Sequence, residues 1–112
     1  MTPPQTASQV LTLGDADFDD ALAVSDRAVL VDFHATWCPP CRALAPELER
    51  LAETHADRVR VATVDVDANP ELVERFEIAS VPSLLLMRGD VVLDRFTAST
   101  AAEVAARIEW LT

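Results

Sequence analysis

The sequence predicts an α/β protein: a central mixed β-sheet sandwiched by helices, in the order β-α-β-α-β-α-β-β-α. Three observations lead there. Ala28-Val29-Leu30-Val31-Asp32-Phe33 is almost continuously apolar and β-branched, the pattern of a strand covered on both faces. Strand-like and helix-like runs then alternate along the chain. Arg88-Gly89-Asp90 finally separates two apolar runs, as a tight hairpin turn does.

In order, Met1 to Ser8 is polar, contains Pro3-Pro4 and reads as a flexible arm, leaving 9–112 as a single domain. Val10 to Leu13 reads as a short edge strand. Gly14 punctuates, and Asp15, Asp17, Asp19 and Asp20 crowd a helix start, where carboxylates cap free N–H groups and suit the helix dipole. Phe18, Leu22 and Ser25 share a helical spacing, so this helix is expected to reach Ser25 or Asp26. After the Ala28–Phe33 strand comes a helix with Leu44, Leu48, Leu51 and His55 on one stripe. Pro39 and Pro40 suit a first turn, whereas Pro46 falls inside the helix and is expected to kink it. Val59 to Val66 reads as a second central strand, Glu71 to Phe76 as a short helix, and Ser83 to Met87 as a third strand. Val91 to Phe96 completes the hairpin. Thr100 caps a last amphipathic helix through Val104, Ile108 and Leu111, and Phe76, Phe96 and Trp110 read as core.

Composition narrows the function. The chain has 112 residues, half of them hydrophobic and a quarter charged, the make-up of an ordinary globular domain. With only Gly14 and Gly89, no glycine-rich phosphate loop can be written. The nine cations are all arginine, and nineteen carboxylates bring the net charge to −10. Such a chain repels nucleic acid and anionic lipid, which bind through basic patches. No apolar run approaches the roughly 18 residues that span a bilayer, and the first residues carry no secretory pattern. The expected location is therefore cytoplasmic, where cysteines are more often catalytic or metal-binding than structural.

Two cysteines, Cys38 and Cys41, flank two prolines at the predicted start of a helix. An ordinary thiol is only about 3 % thiolate at neutral pH. A helix N-terminus surrounds the sulfur of Cys38 with unpaired N–H groups and partial positive charge, favouring the anion. Lowering such a pKa to about 7 raises the thiolate fraction roughly 16-fold, but nucleophilicity falls about fivefold, a net gain of only about threefold. Leaving-group quality and proximity must matter more. Cys41, one helical turn on, can resolve a mixed disulfide formed at Cys38, and well-oriented intramolecular attack corresponds to about 10⁵ M or more. The expected asymmetry is an exposed nucleophile and a more buried resolving thiol. A structural zinc site needs further ligands, for which only His34 and His55 remain, with His55 far down the helix. A static disulfide staple is the other alternative.

Three separated segments, Val31-Asp32-Phe33-His34-Ala35-Thr36-Trp37-Cys38-Pro39-Pro40-Cys41-Arg42, Val64-Asp65-Val66-Asp67-Ala68-Asn69-Pro70 and Ser80-Val81-Pro82-Ser83-Leu84, resemble the thioredoxin family in its own order, and the likeness runs from about Gln9 to Leu111. The resemblance implies the thioredoxin fold, with the redox pair at a strand-to-helix junction and no cofactor beyond a redox-active Cys38–Cys41 disulfide. It implies a cis Val81-Pro82 bond facing that disulfide and offering strand-like hydrogen bonds to an extended client segment; a trans proline opening a strand is the alternative. Trp37, Pro39 and the Thr97-Ala98 loop complete the implied docking surface. Asp32 is implied to relay a proton to and from the resolving thiol. A carboxylate in so apolar a strand must otherwise be paired or reach solvent at the strand end.

Several residues depart from the family pattern. Pro39 replaces the usual glycine between the cysteines, and with Pro40 bears on the reduction potential, where about 30 mV is a factor of ten in equilibrium. His34 stands where tryptophan is common and, if protonated near Cys38, stabilises its thiolate. Thr63 replaces a lysine beside the buried acid, and Thr97 replaces a glycine. Asp65-x-Asp67-x-Asn69 opens like a calcium loop but fails at Pro70 and Phe76, so no metal is expected. Arg88-Gly89-Asp90 reads as a turn rather than an adhesion signal.

The leading expectation is a protein dithiol–disulfide oxidoreductase that reduces disulfide-containing client proteins and is recharged by a flavoprotein thioredoxin reductase. Nothing demands more than a monomer. The alternatives are a thiol oxidase or isomerase of the same superfamily, and a non-catalytic module that binds partners through the same face.

Overall fold

The computed structural model describes residues 9–111; the arm expected over 1–8 lies outside the described residues. The element order is β1 (Val10–Thr12), α1 (Phe18–Val24), β2 (Ala28–His34), α2 (Pro39–Thr54), β3 (Val59–Asp65), α3 (Pro70–Arg75), β4 (Ser83–Arg88), β5 (Val91–Phe96) and α4 (Ala101–Leu111). The sheet is five-stranded in the order β1-β3-β2-β4-β5. β1, β3 and β2 run parallel, and β4 and β5 are added antiparallel. This is the mixed sheet and helix sandwich expected of the thioredoxin fold.

The two faces of the sheet follow from the period of two along each strand. Ala28 and Leu30 of β2 face a core with Leu44, Leu48 and Leu51 of α2 and Val104 and Ile108 of α4. Val29, Val31 and Phe33 face the opposite core, with Phe18 and Leu22 of α1 and Leu72 of α3. Parity therefore assigns Asp32 and His34 to the α2 face, beneath the helix that carries the cysteines. Leu44 is fully buried there, so Leu44→Ala is expected to cost about 2–5 kcal/mol through lost contacts and a cavity.

Some local expectations are corrected. α1 stops at Val24 because Ser25 is already extended, at φ −73° and ψ 130°. No aspartate side chain caps α1. Asp17 accepts from the Gly14 N–H instead (2.8 Å), while Asp15 caps α3, accepting from the Leu72 N–H (3.0 Å) and the Glu71 N–H (3.3 Å). Asp15 is placed for this by its own N–H, which donates to Asn69 Oδ1 at 2.8 Å. Gly14 is required here, since a Cβ on it would lie 2.6 Å from that same oxygen. α2 runs through Pro46 and continues to Thr54, so the proline lies inside the helix as expected.

Trp110 is not core: it is 86 % exposed. Val104 and Ile108 define the buried stripe of α4, and a residue two positions beyond Ile108 points about 200° away from it. Phe76 is buried and Phe96 packs against the core, as expected. The hairpin turns on Gly89 at φ 57°, between the paired residues Arg88 and Val91. Thr100 caps α4, its Oγ1 accepting from the Glu103 N–H at 3.2 Å. Glu103 Oε1 accepts in turn from the Ser99 N–H at 3.2 Å, one residue before the N-cap, a close variant of the capping box.

Candidate active site

Cys38 is the N-cap of α2, extended at φ −96° and ψ 109°, and its sulfur accepts from the Cys41 N–H at 3.2 Å. Pro39 and Pro40 occupy the first helical positions, where a missing N–H costs nothing. Cys38 and Cys41 are joined in a disulfide, with their Cα atoms 5.2 Å apart. The loop before them is tied to the helix by Arg42, whose guanidinium donates to the Thr36 carbonyl at 2.9 Å.

The expected difference in exposure between the two thiols is corrected. Cys38 and Cys41 are 2 % and 3 % exposed, and both pack with Ala35, Val66 and Val81. In the closed disulfide the sulfur of Cys38 is roofed by the segment that carries Val81. What distinguishes the cysteines is the side on which each one opens.

On the Cys38 side, Val81-Pro82 is a cis bond, and the Val81 carbonyl oxygen lies 3.8 Å from Cys38 Sγ. A groove of about 430 Å³ runs beside it between Trp37, Val66, Val73, Ile78 and Val81. Trp37, 64 % exposed, is held at its edge by an Nε1–H bond to Asp67 Oδ2 at 2.8 Å. Pro39 is exposed at the helix tip, next in the chain to Cys38. Thr97 is exposed too, and its hydroxyl donates to the Pro82 carbonyl at 3.2 Å. Ala98 departs from expectation: it is buried in the core beneath α2 and α4, so this loop offers Thr97 and not Ala98 to a partner.

Sequence reasoning passed over Asp67, Val66 and Ile78. The signal lies in Asp65-x-Asp67-x-Asn69. That segment is a turn in which Asp65 Oδ1 accepts from the Asp67 N–H (2.9 Å) and Asn69 Nδ2 donates to the Asp65 carbonyl (2.9 Å), fixing Asp67 where Trp37 needs it.

On the Cys41 side, a cavity of about 330 Å³ separates α2 from the sheet, lined among others by Asp32, His34, Cys41, Glu49 and Thr63. Asp32 is 2 % exposed, and its Oδ1 is buried without a hydrogen-bond partner. Burial pushes its carboxyl up to about 7, because desolvation penalises the charged form. Thr63 stands beside Asp32 in the β2–β3 register but gives its hydroxyl to the Leu11 carbonyl at 3.5 Å. His34 lines this cavity with Cys41, whereas Cys38 does not. Parity on β2 thus sets His34 beside Asp32, over the cavity that Cys41 also lines. Among the described residues, no cluster of three or more His, Cys, Asp or Glu is placed to hold a metal.

A vicinal cysteine pair at a helix N-terminus, with a buried acid behind it and an apolar groove before it, is the apparatus of dithiol–disulfide exchange. The family model described as Thioredoxin matches residues 9–109. The chain is 53 % identical over 79 residues to a thioredoxin of Alicyclobacillus acidocaldarius, covering 70 % of this chain and 74 % of that protein. It is 36 % identical over 93 residues to a thioredoxin of Chlorobaculum thiosulfatiphilum, covering 83 % and 86 %. It is also 40 % identical over 89 residues to a bifunctional thioredoxin reductase/thioredoxin of Mycobacterium leprae, covering 80 % of this chain and only 19 % of that protein. The chain belongs to the thioredoxin family. It is a protein-disulfide reductase whose redox group is the Cys38–Cys41 disulfide itself, with no further cofactor.

Proposed function

We propose that this chain works as a monomer in the cytoplasm, drawing electrons from a flavoprotein thioredoxin reductase and passing them to client proteins as part of electron transport and thiol homeostasis. In the reduced protein the Cys38 thiolate attacks a client disulfide. One Cys38–client bond forms, the client S–S bond breaks, and one client thiolate leaves. Asp32, as a carboxylate, then takes the proton of Cys41. The Cys41 thiolate attacks Cys38 Sγ, the Cys38–Cys41 bond forms and the second client thiolate leaves. Two electrons have passed to the client, whose thiolates take up protons from solvent.

The observation that carries these roles is the opposite outlook of the two sulfurs. Cys38 lies under the Val81 carbonyl beside the Trp37 groove, while Cys41 lines the Asp32 cavity. An extended client segment laid along Val81, Pro82 and Thr97 brings its disulfide to Cys38 first. A flavoprotein partner is supported by the relative in which a thioredoxin is joined to its reductase. The cytoplasmic setting is supported by a cysteine content confined to one redox pair.

Insulin reduction, with NADPH and a flavoprotein thioredoxin reductase as electron source, tests the proposal. The parent should turn over, Cys38→Ser should lose activity entirely, and Cys41→Ser should accumulate a covalent client adduct at Cys38. A Cys38→Ser protein that reduces insulin at the parent rate overturns it. A reduction potential above the cytosolic glutathione poise would turn the reading toward an oxidant or isomerase.

A further inference from the structure

The exchange reaction leaves a proton on Asp32 each time Cys41 acts, and that proton must reach solvent before the next cycle. Asp32 cannot release it directly, being 2 % exposed. The groups facing its cavity are few. Its titratable groups are Asp32 and His34 from β2 and Cys41 and Glu49 from α2, and β1 and β3 add the hydroxyls of Thr12 and Thr63. Thr63 is turned toward the Leu11 carbonyl, and the sequence holds no lysine to take its place. Asp65 stands beside His34 in the β2–β3 register, with Oδ1 engaged by the Asp67 N–H at 2.9 Å.

His34 has the required position. It lies two residues from Asp32 on the same face of β2, about 7 Å along the strand, and unlike Asp32 it is partly exposed. The cavity between them, about 330 Å³, has room for bridging water. Imidazole is the side chain that both accepts and releases a proton near neutrality.

We propose that His34 is the proton outlet of this site, taking from Asp32 the proton withdrawn from Cys41 and delivering it to solvent at the cavity mouth. This rests on the reading of Cys41 as the resolving thiol and Asp32 as its base. Cys41–SH and the Asp32 carboxylate become the Cys41 thiolate and the neutral acid. The acid and neutral imidazole become carboxylate and imidazolium. The imidazolium passes its proton to water, and no electrons move in these steps. His34 thus acts through Asp32 and never touches the sulfurs.

The test uses the reduced full chain and dithiobis(nitrobenzoate), which releases one nitrothiobenzoate when Cys38 attacks and a second when Cys41 resolves the adduct. Stopped-flow absorbance separates the two phases. In His34→Gln the first phase should stay at the parent rate, while the second should slow about tenfold near neutral pH, where Asp32, pushed up to about 7, holds a proton in part of the molecules and must be emptied before Cys41 can act. Free imidazole should restore most of the lost rate. His34→Ser, which leaves more room for imidazole, should show the same pattern more strongly and serves if the glutamine disturbs the fold. An unchanged second phase in both variants overturns the proposal, as does a slowed phase that imidazole leaves slow. Failure of the parent to show two phases would instead overturn the underlying oxidoreductase reading, so the two failures are distinct.

Discussion

The Cys41 backbone N–H donates to Cys38 Sγ across 3.2 Å, and it is the first N–H of α2 that can do so, because Pro39 and Pro40 occupy the two positions before it. An N-cap side chain ordinarily accepts from the second or third helical N–H. Here the second donor is missing and the third serves alone. The nucleophilic sulfur thus sits at the positive end of a sixteen-residue helix with a single hydrogen bond. A second donor would stabilise the reduced form further, and a strongly stabilised reduced form keeps its electrons.

Pro40→Ala follows directly. The alanine N–H adds a second donor to the Cys38 sulfur, and a hydrogen bond to a charged acceptor is worth about 1.5 kcal/mol or more. The thiolate of the reduced form gains more from this than the uncharged disulfide sulfur, which is a weaker acceptor. The reduction potential should rise by about 30 mV, the equivalent of about 1.4 kcal/mol for two electrons. Equilibration of parent and variant in one glutathione buffer measures the difference. A potential unchanged or lowered would show that the missing donor does not limit the thiolate.

Asp32 gives a stability prediction whose sign follows from proton counting. Its carboxyl is pushed up to about 7 in the folded protein from an ordinary value of 3.8. Below about pH 4 the group is neutral folded and unfolded, so its burial carries no ionisation cost. As pH rises toward 7 the unfolded chain gives up this proton while the folded chain keeps it, so stability falls, levelling off above 7. Asp32→Asn removes the effect, leaving all other carboxylates in common. The variant should match the parent near pH 4 and exceed it by up to about 4 kcal/mol near pH 8. Urea unfolding of both proteins across this range would reveal it. A gap that does not widen with pH would mean that the carboxylate finds a compensating partner.

The order of strands and helices was legible because the strands are short apolar or alternating runs and the longer helices carry a clear stripe. Asp32 stood out as the carboxylate inside the most continuous apolar run. The cysteine pair was legible from spacing alone. What local pattern could not carry was partnership across the chain. Asp15 looks like a cap for the helix beside it, yet it caps α3, more than fifty positions away (|i−j| 56 and 57 for its two bonds). Asp67 looks like half a metal loop, yet it anchors Trp37. The outlook of the sulfurs was likewise hidden, since equal burial of Cys38 and Cys41 depends on a segment forty residues downstream (|i−j| 43 between Cys38 and Val81). The cavity shared by His34, Asp32 and Cys41 was hidden too, since it needs strand parity on β2 combined with the packing of α2 over the sheet.

Glu77 is held at φ 54°, the left-handed region, as the residue that ends α3. Its N–H donates to the Glu74 carbonyl at 3.2 Å, and the Ile78 N–H donates to the Val73 carbonyl at 2.9 Å. That pair of bonds is the Schellman termination, for which glycine is the preferred residue at this position. A side chain there costs roughly 1 kcal/mol in strain. Glu77→Gly should therefore raise stability by about 0.5–1 kcal/mol, despite the greater freedom of glycine in the unfolded chain. The urea midpoint should increase with an unchanged slope. A lowered midpoint would show that the glutamate side chain earns its place by contacts elsewhere.

Trp37 presents its ring at the edge of the client groove only while its Nε1–H is held by Asp67 Oδ2 at 2.8 Å. The bond is exposed, and the acceptor is charged, so its net worth is about 1 kcal/mol. Asp67→Ala leaves the sulfurs, Asp32 and the cavity behind them untouched and frees the indole to leave the groove. The docking role proposed for the ring places the loss on KM. An increase of about fivefold, the equivalent of about 1 kcal/mol, is expected with insulin, with kcat nearly constant. The two nitrothiobenzoate phases should keep their parent rates, since that small disulfide does not need the groove. Trp37 fluorescence, read in a Trp110→Phe background so that the exposed second tryptophan does not contribute, should shift toward that of a solvated indole. A fall in kcat at constant KM would instead mean that Asp67 acts on the chemistry at Cys38, and the docking role of Trp37 would have to be abandoned.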